Sequence, residues 1–249
     1  MIDKIKNSIN FRYKNYQYKR LTSKASQPKF DATTLNKEGF YSQCGQDKWL
    51  ANKVFANKQN GVFVDIGAHD GRSFSNSYYF EKQGWTGLAV EPLPDIYKKL
   101  SETRNCICVN ACISEQEGVK IFRKIEGYAE MLSGLVDGYD ERHLLRIDRE
   151  LKQHGGSFAD IEVNCLNINS LLSNHGLHNI DYLSIDVEGN ELAILNSINF
   201  SEFNIAVIGV ENNYRDYKIP QFLKKKGFQL HAILGDEIYI NASPQTVNE

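Results

Sequence analysis

The octapeptide Val64-Asp65-Ile66-Gly67-Ala68-His69-Asp70-Gly71 joins a short apolar run to two glycines four positions apart. An apolar run closed by glycine reads as a buried parallel strand, and an acid at its end reads as a ligand contact. Gly67 permits a tight turn, and Gly71 lets the next helix begin close to a ligand. The spacing is not G-x-G-x-x-G, and no Lys-Ser/Thr pair follows, so an NAD-dependent oxidoreductase and a nucleoside triphosphate loop are both disfavoured. Asp65 suits a cationic amino group, while helix-start N–H groups suit a carboxylate. Glu91 stands 26 residues further on, at the end of Gly87–Val90. An acid at that place accepts ribose hydroxyls in nucleotide-binding α/β folds. An amino acid joined to a nucleoside describes S-adenosylmethionine.

Methyl transfer to a hydroxyl requires in-line placement and a destination for the proton. Further carboxylates stand at strand ends: Asp186 after Asp181–Ile185, and Glu211 after Ile205–Val210. Two arrangements are open. In the first, Asp186, Glu188 or His69 is the general base. In the second, Asp186, Glu211 and Asn212 hold Mg²⁺ through oxygen ligands. That layout resembles catechol-type metal-dependent O-methyltransferases. His69 also reads as a plain loop residue, and Glu188 as compensation for the helix dipole ahead of Glu191. His143, His154, His175, His178 and His231 read as surface or packing residues. His143 and Tyr139 lie in a segment expected to cover the acceptor.

These residues need a scaffold, and strand-like and helix-like segments alternate from Phe40 onward. Strands are predicted at 61–67, 87–91, 106–110, 119–123, 161–165, 181–186 and 205–211. Helices are predicted at 74–83, 94–103, 168–173, 191–197 and 219–226. The last strands, 228–234 and 237–240, form a hairpin turning at Gly235-Asp236. This pattern predicts an α/β fold with a doubly wound, mostly parallel sheet and an antiparallel C-terminal hairpin. Ligands bind such sheets beyond the carboxyl ends of the strands. Residues 124–160 are polar, with a helix predicted over Tyr139–Gln153 and ended by Gly155-Gly156. They read as an insertion over one end of the sheet.

Several separate motifs, SQCGQD (42–47), VDIGAHDG, SNSYYFEKQGW (75–85), GLAVEP and DYLSIDVEGNE (181–191), resemble the FkbM family of methyltransferases. The resemblance runs from about Tyr41 to Ile240. It implies the Rossmann-like class I methyltransferase fold, S-adenosylmethionine as cofactor and O-methylation, often of a sugar or polyketide. It places Asp65, Gly67, Ala68 and Gly71 in the cofactor loop, Glu91 at the ribose and Asn110-Ala111 at the adenine edge. Ser75 and Asn76 match the family's Ser-Asn pair. Ser42, Gln43, Gln46 and Asp47 match a motif closing over the cofactor. Relatives often read Glu-His-Asn where this chain has Glu211-Asn212-Asn213, which moves any base to another residue.

The chain has 249 residues, a net charge of −2 and a mean hydropathy of −0.45, an ordinary globular composition. No apolar stretch approaches the roughly 18 residues of a membrane span, and no apolar leader opens the sequence. Its five cysteines, an odd number, read as free thiols in a reducing, cytoplasmic setting. Charge is unevenly spread. Residues 1–29 hold eight Lys/Arg against Asp3, leaving the remainder at −9. An acidic body disfavours nucleic acid as substrate. The expected division is a basic extension at 1–30 and a methyltransferase domain at 31–249, with the insertion at about 124–160. The extension shows no clean helical period. It reads as a mobile arm that can be removed without loss of the fold, as a dimer-packing arm, or as a peripheral contact with an anionic membrane or glycan carrier. The expected acceptor is a hydroxyl of a sugar, a glycan or another small molecule. A cofactor-binding module without activity is the alternative outside enzymes.

Overall fold

The computed structural model describes residues 2–56 and 58–242. In chain order the elements are α1 (Ile2–Thr22), α2 (Ala32–Lys37), α3 (Gln46–Lys53), β1 (Val62–Ile66), α4 (Tyr78–Lys82), β2 (Thr86–Val90), α5 (Pro94–Thr103), β3 (Ile107–Val109), β4 (Cys112–Ile113) and β5 (Gly118–Glu126). They continue with β6 (Gly134–Leu135), α6 (Glu141–His154), β7 (Ser157–Leu166), α7 (Ile168–Asn174), β8 (Asn179–Ile185), α8 (Glu191–Ser197), β9 (Asn204–Val210), α9 (Lys218–Lys225), β10 (Phe228–Leu234) and β11 (Asp236–Asn241).

Strand and helix alternate because apolar runs of five to seven residues are separated by amphipathic segments closed by Pro or Gly. The main sheet has the order β10-β11-β9-β8-β1-β2-β3. Its neighbours are parallel except β11, which runs antiparallel to both β10 and β9. This is the class I methyltransferase arrangement, with the order reversing between β1 and β8. Val64, Ile66, Leu88, Leu183, Ile185 and Ile208 are buried on one face of the sheet. Phe63, Phe80, Trp85, Tyr182 and Val207 fill the other. Burial on both faces explains why these strands are apolar almost throughout.

Two strands expected in the core lie elsewhere. β5 and β7 pair antiparallel from Gly118↔Cys165 to Glu126↔Ser157. With β4 and β6 they make a separate sheet, in the order β4-β7-β5-β6. Lys120, Arg123, Lys124, Asp160 and Glu162 along these strands could not be covered on both faces, as the central sheet demands. Helix α6, ended by Gly155 as expected, packs Ile147 against Ile125 and Leu132.

The helix expected from Phe74 begins only at Tyr78. Asp70 holds the preceding turn by accepting from the N–H groups of Arg72 and Ser73 and from the Ser73 hydroxyl. The N-terminal segment is not a free arm. It forms α1, whose Tyr18 is 7% exposed and donates to Glu237 Oε1 at 2.6 Å. Ser26 then joins β10 through His231 O and Ile233 N, each at 2.9 Å. Among the described side chains of α1 the buried ones are Tyr18 and Thr22 rather than aliphatics, so this stretch carries no apolar period. Among the described residues the five cysteines are free thiols, and no helix is long and apolar enough to cross a membrane.

Candidate active site

One cavity opens at the carboxyl ends of β1, β2, β8 and β9. Asp65, Gly67, Ala68, His69, Ser75, Asn76, Glu91, Ala111, Asp186, Glu188, Glu211 and Gln46 all line it. Gly71, Asn110 and Asn212 do not. Gly67 (φ +87°) passes so close to the exit of β8 that a Cβ would lie 1.8 Å from Asp186 O. Contrary to expectation, the N–H groups of Gly67, Ala68 and His69 are taken by acceptors of the protein itself and not left for a ligand carboxylate. Gly67 N and Ala68 N donate to Val90 O at 3.1 and 2.9 Å, and His69 N donates to Glu91 Oε2 at 3.1 Å. Gly71 (φ +80°) serves packing, since a Cβ there would meet Leu100 and Arg104 at 2.7 Å.

Arg104 is the residue that sequence reading missed at this end. Its buried guanidinium reaches Gly71 O at 3.2 Å and Ser77 Oγ at 3.0 Å, and it pairs with Glu81. Ser77 in turn donates to Asp65. Burial raises the Asp65 carboxyl above its usual range although Arg104 opposes this.

Glu91 is 6% exposed and accepts from Leu93 N at 2.9 Å and His69 N. Burial pushes its pKa up to about 7. Each oxygen accepts one of these bonds and has the capacity for another. Asn110 instead donates to Glu91 O and Pro92 O at 2.9 and 3.0 Å, so it braces the end of β2. Ala111, Ile113, Phe122 and Met131 supply the apolar wall. His69 belongs to this end of the cavity. Its ring nitrogens face Asp70 at 3.9 Å and Glu130 at 3.7 Å, and not the Asp186 cluster. Burial lowers its pKa, but Asp70, Glu91 and Glu130 outweigh this and hold it above the usual value.

At the opposite end, carboxylate oxygens of Asp186, Glu188 and Glu211 lie within 4.8 Å of one another. Burial first, then the Asp236 charge for Asp186 and the Asp186 charge for Glu211, raise both well above the ordinary range. Glu188, in a strained backbone conformation (φ +55°), rises to about 7 through burial. The Asn213 amide donates to Glu211 Oε1 at 2.6 Å and Glu188 Oε2 at 3.3 Å. Glu188 is not the residue bracing the α8 start. Glu191 does this, accepting from Gly189 N at 2.8 Å and Val187 N at 3.3 Å. Asn212 leaves the expected ligand set, because its side chain binds Asp216 and Glu237. Glu188 stands in its place.

Two more residues join the site from distant sequence. Asp236, expected in a turn, opens β11 and accepts from Gln46 Nε2 and Asn76 Nδ2, both at 2.9 Å. His143, expected only to overlie the acceptor, is fully buried with Nδ1 3.5 Å from Glu188 Oε2 and 3.1 Å from the Tyr214 hydroxyl. Its Nε2 lies 3.1 Å from Leu132 O, so that nitrogen carries a proton. Burial lowers its pKa, leaving Nδ1 as an acceptor. Only its position on an amphipathic helix inside the polar insertion hinted at this. Asp47, matched to the closing motif, caps its own loop instead by accepting from Tyr41 N and Ser42 N.

No curated protein matches the chain. Among solved structures, a TehB-like SAM-dependent methyltransferase from Corynebacterium glutamicum is similar, with 13% identity over 84% of this chain and 93% of that one, at a TM-score of 0.38. The model of the methyltransferase FkbM domain matches residues 65–230, from the acid closing β1 to the middle of β10. That span takes in Glu91, the Asp186–Glu188–Glu211 cluster and the strand order around them, and the chain belongs to the FkbM methyltransferase family.

Proposed function

We propose that this methyltransferase takes the methyl group of S-adenosylmethionine to a hydroxyl of a sugar or glycan, in the cytoplasm. The observation that carries the reading is one cavity with the Glu91 carboxylate at one end and three crowded carboxylates at the other. The lining fits the cofactor. Glu91 has lone pairs for ribose hydroxyls, beside the apolar wall of Ala111, Ile113 and Phe122. Asn76 Oδ1 and His69 Nδ1 are buried without a hydrogen-bond partner among the described residues. Asp65, Asn76, Gln46 and Asp236 would hold the amino-acid part. When bound, the cofactor supplies an already activated methyl group, so the protein's tasks are placement and proton removal.

Glu188 and Asp186 are the proton acceptors of this reading. A carboxylate raised to about 7 is matched to general-base work near neutral pH. Asn213 Nδ2, which donates to Glu188 Oε2 at 3.3 Å, orients that oxygen. Seven carboxylates line the cavity (Asp65, Glu91, Glu130, Asp186, Glu188, Glu211 and Asp236) against the single guanidinium of Arg146. That balance opposes an anionic acceptor and suits a neutral one whose hydroxyls donate hydrogen bonds. A second reading rests on the spacing of Asp186, Glu188 and Glu211, an all-oxygen set suited to Mg²⁺ that would acidify the acceptor hydroxyl. In either reading, residues 1–29 meet an anionic surface.

Calorimetric titration with S-adenosylmethionine and with NAD tests the cofactor. A screen of nucleotide sugars and lipid-linked oligosaccharides, read as S-adenosylhomocysteine formed, then tests the acceptor. Binding of NAD alone overturns the reading. Cofactor binding with no product from any acceptor favours the inactive module, and product only from non-sugar hydroxyls removes the sugar.

A further inference from the structure

Helix α1 lies beside α9, with the Tyr13 ring edge-on to Tyr217 at 6.2 Å. Its inner side is tied down by Tyr18 on Glu237 and by buried Thr22. Glu237 also accepts from Asn212, the neighbour of Glu211, so α1 shares a buried carboxylate with the loop at the site. The outer side presents Tyr13 and Tyr16, at 53% and 63% exposed, among exposed Arg12, Lys19 and Arg20, and is flanked by exposed Lys14 and by Phe11, 61% exposed and two turns before Tyr18. Alongside, α9 exposes Lys218, Lys224 and Lys225. Among the described residues, Arg12, Lys19, Arg20, Lys224 and Lys225 stand in no ion pair. Two adjoining helices therefore carry unpaired cations on a chain whose residues beyond 29 net −9.

We infer that α1 and α9 together form a docking face for an anionic lipid bilayer. The inference rests on the surface contact proposed for residues 1–29 and changes its nature. The contact is a rigid face shared with α9, packed onto the body, and not a flexible tether. Cations alone would serve any polyanion. Exposed Phe and Tyr beside Lys and Arg favour the headgroup boundary, where an aromatic body enters the acyl layer and a polar tip stays wet. The bilayer is thus favoured over nucleic acid.

The test is flotation of the full chain with vesicles of phosphatidylcholine alone or with about 30% phosphatidylserine added, at low and high salt. Binding to the anionic vesicles only, falling with salt, is expected. The pair Lys19→Glu and Arg20→Glu, and separately Lys224→Glu and Lys225→Glu, should each weaken binding by roughly tenfold or more. The pair Phe11→Ser and Tyr16→Ser should weaken it while leaving the salt dependence. Circular dichroism checks folding, and calorimetry checks that each variant still binds S-adenosylmethionine. Absence of partition onto the anionic vesicles overturns the inference, as does tighter binding to an oligonucleotide. An unaffected α9 variant overturns the shared face. In the parent chain, absent vesicle binding with cofactor binding intact refutes the docking face alone, whereas absent cofactor binding refutes the S-adenosylmethionine reading instead.

Discussion

Glu91 answers to two opposed demands. A ribose contact is strongest when the carboxylate is ionised, yet a carboxylate only 6% exposed destabilises the fold in that form. Burial raises its pKa from 4.5 to about 7, although Leu93 N and His69 donate to it. A raised carboxyl holds its proton more tightly when folded. The stability it lends is therefore complete below pH 4.5 and is lost as pH rises through about 7. Over that window the loss is on the order of 3 kcal/mol. Urea unfolding of the cofactor-free protein should show lower stability near pH 8 than near pH 5.5. Glu91→Gln should flatten this slope, raise stability near pH 8, and weaken cofactor binding by roughly 1–3 kcal/mol. An unchanged affinity in calorimetry would remove Glu91 from the cofactor contacts. At the other end, Asp186→Asn should abolish turnover far more than cofactor binding, since an amide neither accepts the proton nor binds a hard cation well. EDTA distinguishes the two proposed chemistries. Inhibition reversed by Mg²⁺ supports the metal set, and an unaffected rate supports the base. Full activity of Asp186→Asn would sink both.

At the scale of elements, the loop after β1 depends on two packing constraints that flank it. Gly67→Ala would drive a Cβ into Asp186 O and strain a φ of +87°, so both the loop and the exit of β8 must shift. A loss of several kcal/mol in unfolding free energy is expected. Arg104, following α5, holds the far side of the same loop by binding Gly71, Ser77 and Glu81, and its guanidinium lies 5.1 Å from the Phe63 ring centre. Its side chain is 0% exposed. Arg104→Met would keep the stem but leave Asp65 and Glu81 without their counter-charge. A cost of roughly 3–5 kcal/mol in chemical denaturation is expected, with cofactor affinity falling as Asp65 loses its place. A stability change under about 1 kcal/mol would show that the ion pairs do not hold this loop.

For the molecule as a whole, the N-terminal helix is part of the folded body. Tyr18 fills a buried position and supplies one of the donors to Glu237, beside Tyr239 and Asn212. Tyr18→Phe should cost about 1–3 kcal/mol, because a buried carboxylate loses a donor. Removing residues 1–24 should cost more, since it also exposes the α9 flank. A truncated chain with unchanged thermal stability would return the segment to the status of a detachable arm.

The sequence by itself determined the alternation of strands and helices, the doubly wound class, and the acids Asp65, Glu91, Asp186 and Glu211 at or just beyond strand ends. Those are local properties: hydrophobic period, Pro and Gly punctuation, and the residue that follows an apolar run. Only the tertiary structure decided that β5 and β7 leave the central sheet, that Glu188 and not Asn212 completes the acidic cluster, and that His143 reaches it. The same holds for Asp236, which meets Gln46 across 190 residues, and for Tyr18, which meets Glu237 across 219. Such contacts carry no local signature. They arise where register, turn geometry and the burial of both faces of one sheet leave a polar group a single partner within reach, and that choice is made only when the whole chain packs.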